Sequence, residues 1–134
     1  SLSSFAKVGN VAYRLVRNNT PGPYTWVLPA TSEVPRRLMH PKRRTIGLRV
    51  PSNPILQAIL DRLSEPLMTA TCQLPNDEYP LTDAYDIRDS LDNQIDLIVD
   101  GGYCGMEPST VISLVTETPE LIREGAGDFS AVVG

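Results

Sequence analysis

Apolar residues recur along the chain at helical spacing in some segments, and these segments predict helices. From residue 8 to residue 17 the apolar positions fall three and four residues apart, and the turn residues and proline at 18–21 end that pattern. A second helix is predicted to begin at Asn53 and Pro54, because asparagine caps free amides and a proline in the first helical position loses no hydrogen bond. Further helices are predicted at 82–91, capped by Thr82, and briefly at 32–38, capped by Ser32.

Other apolar segments are short and rich in β-branched or aromatic residues, a composition typical of strands. These segments are 24–28, 45–50, 67–72, 95–99, 110–115 and 121–123. Helices and strands alternate in the middle of the chain and strands accumulate near its end. This order predicts a single α/β domain over residues 1–134 with an open, mixed sheet.

The composition narrows the class of protein. Of the 134 residues 41% are hydrophobic and 21% charged, as in globular proteins, and the chain contains no apolar run long enough for a membrane span. The first ten residues lack the features of a signal peptide, so we expect a cytoplasmic protein that does not bind membranes and keeps Cys72 and Cys104 reduced. His40 has no second ligand at metal-binding spacing, which predicts a solvated loop residue and no protein-made metal site.

Charge is divided unevenly along the chain. Residues 1–62 carry ten basic and two acidic side chains, a net charge of +8, whereas residues 63–134 carry two basic and fourteen acidic ones, a net charge of -12. Two interpretations remain open: two solvated faces of opposite sign, or a basic cluster that collects the phosphates of structured RNA or tRNA. The candidate RNA-binding residues are Arg36, Arg37, Lys42, Arg43 and Arg44.

Four segments carry a resemblance to a known family. They read PGPYTWVL at 21–28, RTIGLRVPSNP at 44–54, PLMTAT at 66–71, and PSTVISL with LIREGAGD between 108 and 128. In this order they resemble the threonylcarbamoyl-AMP synthase family, also called YrdC/YciO. The residues at 18–22, 34–38 and 101–103 resemble the YciO branch more than the YrdC branch.

The resemblance implies a fold and a ligand set. The fold would be an open, twisted mixed sheet around a concave, positively charged cavity, and the ligands would be L-threonine, bicarbonate and ATP as a substrate that brings Mg²⁺. By position, Arg49, Thr69 and Ser109 resemble contacts to the amino acid, and Thr45, Thr71 and Arg123 resemble contacts to the nucleotide. No residue is assigned a proton-transferring role, because such a reaction needs held phosphates and neutralised charge.

Each of these residues also has a purely structural interpretation. The threonines are β-branched residues in predicted strands, Ser109 precedes a predicted strand, and Arg123 is close in sequence to Glu120 and Glu124. Arg49 is more informative, since the guanidinium of an arginine within an apolar strand suits a carboxylate or a phosphate.

The sequence departs from the family pattern in two places, and both argue against synthase activity of this chain. The family domain begins further upstream, with a Lys-x-Arg motif directed at the phosphates, so the chain is expected to be a partial domain whose exposed sheet edge favours association. Thr71-Cys72-Gln73 stands where the synthases carry a Ser-x-Asn pair. We therefore expect a nucleotide-binding relative of the synthases that is a nucleotidyltransferase-like enzyme when intact and inactive as this chain. The alternative is a module that binds double-stranded RNA or tRNA without synthase activity.

Overall fold

The computed structural model describes residues 2–134, which form two compact units. Unit 1 comprises the described residues up to Asn53 together with Pro108–Gly134, and unit 2 is Pro54–Glu107. In chain order the elements are a 3-10 helix Leu2–Ser4, α1 Asn10–Asn19, β1 Tyr24–Pro29, a 3-10 helix Arg36–Leu38, β2 Thr45–Arg49, α2 Pro54–Leu63, α3 Ala84–Leu91, β3 Thr110–Ser113, β4 Glu120–Arg123 and α4 Phe129–Val133.

Unit 1 is built on a four-stranded sheet in the order β2-β1-β3-β4. β1 pairs antiparallel with β2 and parallel with β3, and β3 pairs antiparallel with β4. The parallel pair joins segments more than eighty residues apart in the chain, with all of unit 2 between them. The predicted open, mixed α/β sheet is confirmed.

The core of unit 1 lies on one face of this sheet. Alternate residues of β1 point to opposite faces, so Tyr24, Trp26 and Leu28 are buried while the residues between them are half-buried. Trp26 and, on β3, Ile112 are both 0% exposed. The other buried members of this core are Ala6, Ala12, Val16, Leu114 and Val132, which come from the chain before α1, from α1, from the residue after β3 and from α4.

Unit 2 contains the two helices α2 and α3 and otherwise irregular chain. Neither helix has a buried residue, and no strand forms among the described residues 54–107. The predicted strands at 67–72 and 95–99 are therefore wrong. A strand needs a neighbouring strand to pair its backbone amides and carbonyls, and the described residues of unit 2 form none.

Several predicted boundaries also shift. The helix predicted at 82–91 begins at Ala84 and is capped by Asp83, whose carboxylate accepts the Tyr85 N–H at 3.1 Å, rather than by Thr82. The brief helix predicted at 32–38 is confined to the 3-10 turn Arg36–Leu38, and α4 was not predicted. Among the described residues no helix has both the length and the apolar character needed to cross a membrane.

Candidate ligand-binding face of the sheet

The sheet of unit 1 has a second face, opposite the core, which we call the open face. Residues paired directly across neighbouring strands project to the same side, so the register identifies its members. Thr25 of β1 is paired with Arg49 of β2 and with Val111 of β3, and Val111 is paired with Arg123 of β4. By the same register the open face consists of Thr25, Val27, Pro29, Thr45, Gly47, Arg49, Val111, Ser113, Glu120 and Arg123, with Ser109 just before β3.

Three side chains on the open face are joined by hydrogen bonds. The hydroxyl oxygens of Thr25 and Ser109 lie 2.6 Å apart. The Arg123 guanidinium donates to the Ser109 carbonyl from Nε at 3.1 Å and from Nη2 at 2.7 Å, and Nη2 also donates to the Ser109 hydroxyl at 3.2 Å. Ser109 and Arg123, predicted separately as ligand contacts, thus form one cluster with Thr25, which we call the Arg123 cluster.

The chain beside this cluster is fixed by a buried threonine. The Thr110 hydroxyl, in a residue that is 0% exposed, donates to the Gly127 carbonyl at 2.6 Å and accepts the Gly125 N–H at 3.0 Å. The Ala126 N–H also donates to the Pro108 carbonyl at 2.9 Å. These bonds hold the turn after β4 against the entrance to β3, and so set the position of Ser109 relative to Arg123.

Gly125 is required by the closeness of this approach. A Cβ at position 125 would collide with the Pro108 carbonyl oxygen and would lie 2.6 Å from the carbonyl oxygen of Ser109. Both obstacles are backbone atoms, which cannot move aside as a flexible side chain can. The glycine in the LIREGAGD segment therefore serves the geometry of the Arg123 cluster.

Arg49 stands on the open face beside Thr25. Its side chain is exposed, and the described residues of unit 1 give its guanidinium no hydrogen-bond or ion-pair partner. Thr45 lies on the same face at the other end of β2, opposite Pro29. Because a strand advances about 3.3 Å per residue, Thr45 is about 13 Å from Arg49 along β2. The structure thus brings Arg49, Ser109 and Arg123 to one end of the open face and Thr45 to the other.

The charged side chains at the Arg49 end of the open face are mostly basic. Glu120, paired with Ser113, is the acidic residue that the register places on this face. Arg123 was also interpreted as a surface partner of Glu120 or Glu124. Its guanidinium instead donates to Ser109. The side chains at the Arg49 end therefore present hydrogen-bond donors, which suit an anionic ligand group.

Thr69 and Thr71 belong to unit 2. Both are exposed and lie in the irregular segment between α2 and α3. In the same segment the Gln73 side-chain amide donates to the Asp77 carbonyl at 2.9 Å. The convergence of Thr69 and Thr71 with Arg49 and Ser109 stays a prediction.

The candidate RNA-binding residues Arg36, Arg37, Lys42, Arg43 and Arg44 are all exposed. Their loop is organised by His40, whose Nδ1 accepts the N–H groups of Lys42 at 3.2 Å and Arg43 at 3.1 Å. His40 is an exposed loop residue, as predicted. Binding of RNA by this loop, and a positively charged cavity lined by it, stay predictions.

Thr25 was not among the predicted site residues, although the sequence contains the signal for it. In PGPYTWVL, the alternation that buries Tyr24 and Trp26 places Thr25 on the opposite face. Both cysteines are free thiols, Cys104 exposed and Cys72 partly so. Among the described residues, no three His, Cys, Asp or Glu side chains are grouped so that they could hold a metal ion.

Comparison with known proteins agrees with the resemblance seen in the sequence. Residues 1–125 match the Sua5/YciO/YrdC family, described as "Telomere recombination". YciO of Escherichia coli is 54% identical over 127 residues, which are 95% of this chain and 62% of YciO. Its crystal structure superimposes with a TM-score of 0.88.

More distant similarities include enzymes. A threonylcarbamoyl-AMP synthase of Vibrio vulnificus is 31% identical over 106 residues, which are 78% of this chain and 55% of the synthase. The crystal structure of Pyrococcus abyssi Sua5 complexed with L-threonine has a TM-score of 0.87 at 28% identity, over 99% of this chain and 40% of that one. The chain thus spans less than two thirds of the length of each of these proteins.

Proposed function

The chain belongs to the Sua5/YciO/YrdC family, and from that membership we propose that it binds a nucleotide and a small amino acid on the open face of its sheet. The amino acid of this proposal is L-threonine, by analogy with the Pyrococcus abyssi Sua5 complex. The nucleotide is ATP with its Mg²⁺, by analogy with the threonylcarbamoyl-AMP synthases.

The observation that carries the proposal is the set of donors at one end of the open face. The Arg123 guanidinium is held by Ser109 through its Nε and Nη2 atoms, and Arg49 stands beside Thr25 on the neighbouring strand. Two guanidinium groups in this arrangement match the carboxylate of an amino acid and the phosphates of a nucleotide, both of which accept paired N–H bonds.

Individual roles follow the family resemblance. Arg49 binds the carboxylate of threonine, with Ser109 as a hydroxyl contact to the amino acid. Arg123 binds the phosphate of the nucleotide, with Thr45 as a further contact. The distance of about 13 Å between Arg49 and Thr45, from the rise of a strand, leaves room for the nucleotide to extend from Arg123 toward Thr45 beside the amino acid.

The chemistry of the intact protein would be synthase-like. Threonine, bicarbonate and ATP form threonylcarbamoyl-AMP with release of pyrophosphate, and this requires aligned reactants and neutralised phosphate charge more than a tuned acid or base. The short chain covers 62% of YciO. We propose that it binds ligand without turnover, since Thr71-Cys72-Gln73 stands where the synthases carry a Ser-x-Asn pair.

Isothermal titration calorimetry tests the binding. Wild-type protein is titrated with ATP and Mg²⁺ and separately with L-threonine, and the same titrations are made with Arg49→Ala. Loss of a charge-assisted hydrogen bond worth about 1.5–3 kcal/mol predicts threonine binding weaker by about ten-fold or more. Arg14→Ala is the matched control, because Arg14 is an exposed arginine of α1, on the core side of the sheet.

Two results would refute the proposal. One is the absence of heat for both ligands with the wild-type chain. The other is equal weakening by Arg49→Ala and Arg14→Ala, which would indicate general charge attraction rather than a site. Release of pyrophosphate from ATP in the presence of threonine and bicarbonate is expected to stay at the background rate.

A further inference from the structure

Thr25 occupies the centre of the open face, and its two branches point in different directions. Its hydroxyl lies 2.6 Å from the Ser109 hydroxyl, on the β3 side. Its methyl carbon faces Gly47 of β2, where a built Cβ would come within 3.2 Å of it. Because a β-branched side chain has few χ1 rotamers, contact at Gly47 and the bond to Ser109 fix the Thr25 hydroxyl in one orientation.

The hydrogen count of this pair has a consequence for ligand binding. Thr25 and Ser109 carry one hydroxyl hydrogen each, and the bond between them uses one of the two. The Ser109 oxygen also accepts from Arg123 Nη2. One hydroxyl hydrogen therefore remains for an acceptor on a ligand, next to the guanidinium.

We infer that Thr25 is a positioning residue that acts through Ser109 on Arg123, so that the guanidinium of Arg123 is held ready for an anionic ligand group. The inference rests on the proposed function for the identity of that ligand. Thr25 fixes the rotamer of Ser109, whose hydroxyl accepts from Nη2 of Arg123, while the Ser109 carbonyl holds Nε and Nη2. The Nη1 atom of Arg123, which takes no part in these bonds, donates to the ligand.

An ordinary structural role for Thr25 predicts different behaviour. As a sheet residue, Thr25 contributes through its β-branched shape, which valine reproduces and serine does not. As a positioning residue, it contributes through its hydroxyl, which serine reproduces and valine does not. The variants Thr25→Val and Thr25→Ser therefore separate the two roles.

The experiment measures two properties of the full chain. The first is the affinity for ATP with Mg²⁺ by calorimetry. The second is the ¹⁵N NMR signal of the Arg123 Nη2–H groups, whose exchange with water reports how firmly the Ser109 hydroxyl holds this part of the guanidinium, independently of any ligand.

We expect Thr25→Val to weaken ATP binding by about three- to ten-fold, the effect of one neutral hydrogen bond, and to speed exchange of the Arg123 Nη2–H groups. Thr25→Ser should stay within about two-fold of wild type in both, the range of a small surface substitution. In a Ser109→Ala background, Thr25→Val should cause no further loss, because residues that act through one another are not additive.

Several outcomes would overturn the inference. They are an unchanged Arg123 signal in Thr25→Val, equal effects of valine and serine, and a full loss from Thr25→Val in the Ser109→Ala background, which would mean direct contact with ATP. If the wild-type chain binds no ATP, the proposed function fails. The Arg123 signal of the two Thr25 variants then decides the positioning role by itself.

Discussion

Units 1 and 2 differ in how they use their apolar residues. Unit 1 buries them: Trp26 and Ile112, on the core face of its four-stranded sheet, are 0% exposed. In unit 2 no described residue is buried, and Leu97 and Tyr103 are 80% and 83% exposed. The difference lies in backbone pairing, because a strand whose amides and carbonyls are satisfied by neighbours presents a continuous face to a core.

The two units also differ in charge. Unit 1 carries ten basic and five acidic side chains, a net charge of +5, and unit 2 carries two basic and eleven acidic ones, a net charge of -9. The predicted division of charge along the chain follows the structural units only in part, because residues 108–134, with one basic and four acidic side chains, belong to unit 1. The anion-binding role proposed for the open face belongs to the basic unit.

Truncation of an isoleucine in each unit should show the largest contrast. Ile112→Ala removes a fully buried side chain of β3 and should lower the free energy of unfolding by about 4 kcal/mol, since the cavity term adds to the loss of apolar burial. Ile59→Ala on α2, where the side chain is only partly buried, should cost about 1 kcal/mol. Urea unfolding followed by circular dichroism measures both. Similar losses from the two variants would mean that the units are equally well packed.

The sequence predicted unit 1 well because its local signals agree with its pairing. β1 and β2 lie close to the predicted 24–28 and 45–50, and alternation along β1 predicted the buried face. The same signal failed at 67–72 and 95–99, where apolar and β-branched residues have no partner strand in unit 2. Propensity is a property of one residue, whereas strand formation depends on a partner strand, which for β1 and β3 lies more than eighty residues away in the chain.

Only the residue types of the candidate site were predictable from the sequence, because their placement depends on strand pairing. The motifs supplied Arg49, Ser109 and Arg123, whose placement on one face required the register of three strand pairs. The bond between Ser109 and Arg123 depends on the turn at Gly125, and the role of Thr25 depends on its separation from Ser109. Distances of this kind between remote segments are set by tertiary packing and leave no local pattern.

The turn after β4 gives a second contrast between the units. Gly125→Ala should destabilise unit 1 by about 3 kcal/mol, because the added methyl group meets backbone atoms of Pro108 and Ser109 that cannot rotate away. Gly105→Ala in unit 2 is the matched control, since a Cβ there has nothing within 4 Å. Thermal unfolding compares the two variants.

Gly125→Ala should also weaken ligand binding, whereas the control in unit 2 should not. Displacement of Ser109 should separate it from Arg123, so ATP affinity should fall in Gly125→Ala at temperatures where the variant is still folded. Gly105→Ala should bind as wild type does. A Gly125→Ala protein with unchanged stability would show that the turn adapts easily, and the close packing described for this segment would not govern the site.

The smallest effect should come from a pair of helix caps with the same chemistry. The Asp83 carboxylate accepts the Tyr85 N–H at the start of α3 in unit 2, and the Asp128 carboxylate accepts the Ser130 N–H at 2.9 Å at the start of α4 in unit 1. Replacement of either aspartate by alanine should cost about 1 kcal/mol, the usual value of such a cap. In one variant the cost should lower the global free energy of unfolding, and in the other it should only favour local opening of the helix.

Asp128→Ala should lower the global free energy of unfolding, because α4 contributes the buried Val132 to the core and the Asp128 carbonyl accepts the Tyr24 hydroxyl at 3.1 Å. Asp83→Ala should instead speed amide hydrogen exchange in α3 and leave the global transition unchanged, since no residue of α3 is buried and local opening of the helix exposes little new apolar surface. Hydrogen exchange read residue by residue, together with urea unfolding, separates the two responses. If Asp83→Ala lowers the global transition as much as Asp128→Ala does, the two units unfold as one cooperative structure, and the contrast in packing between them does not extend to their stability.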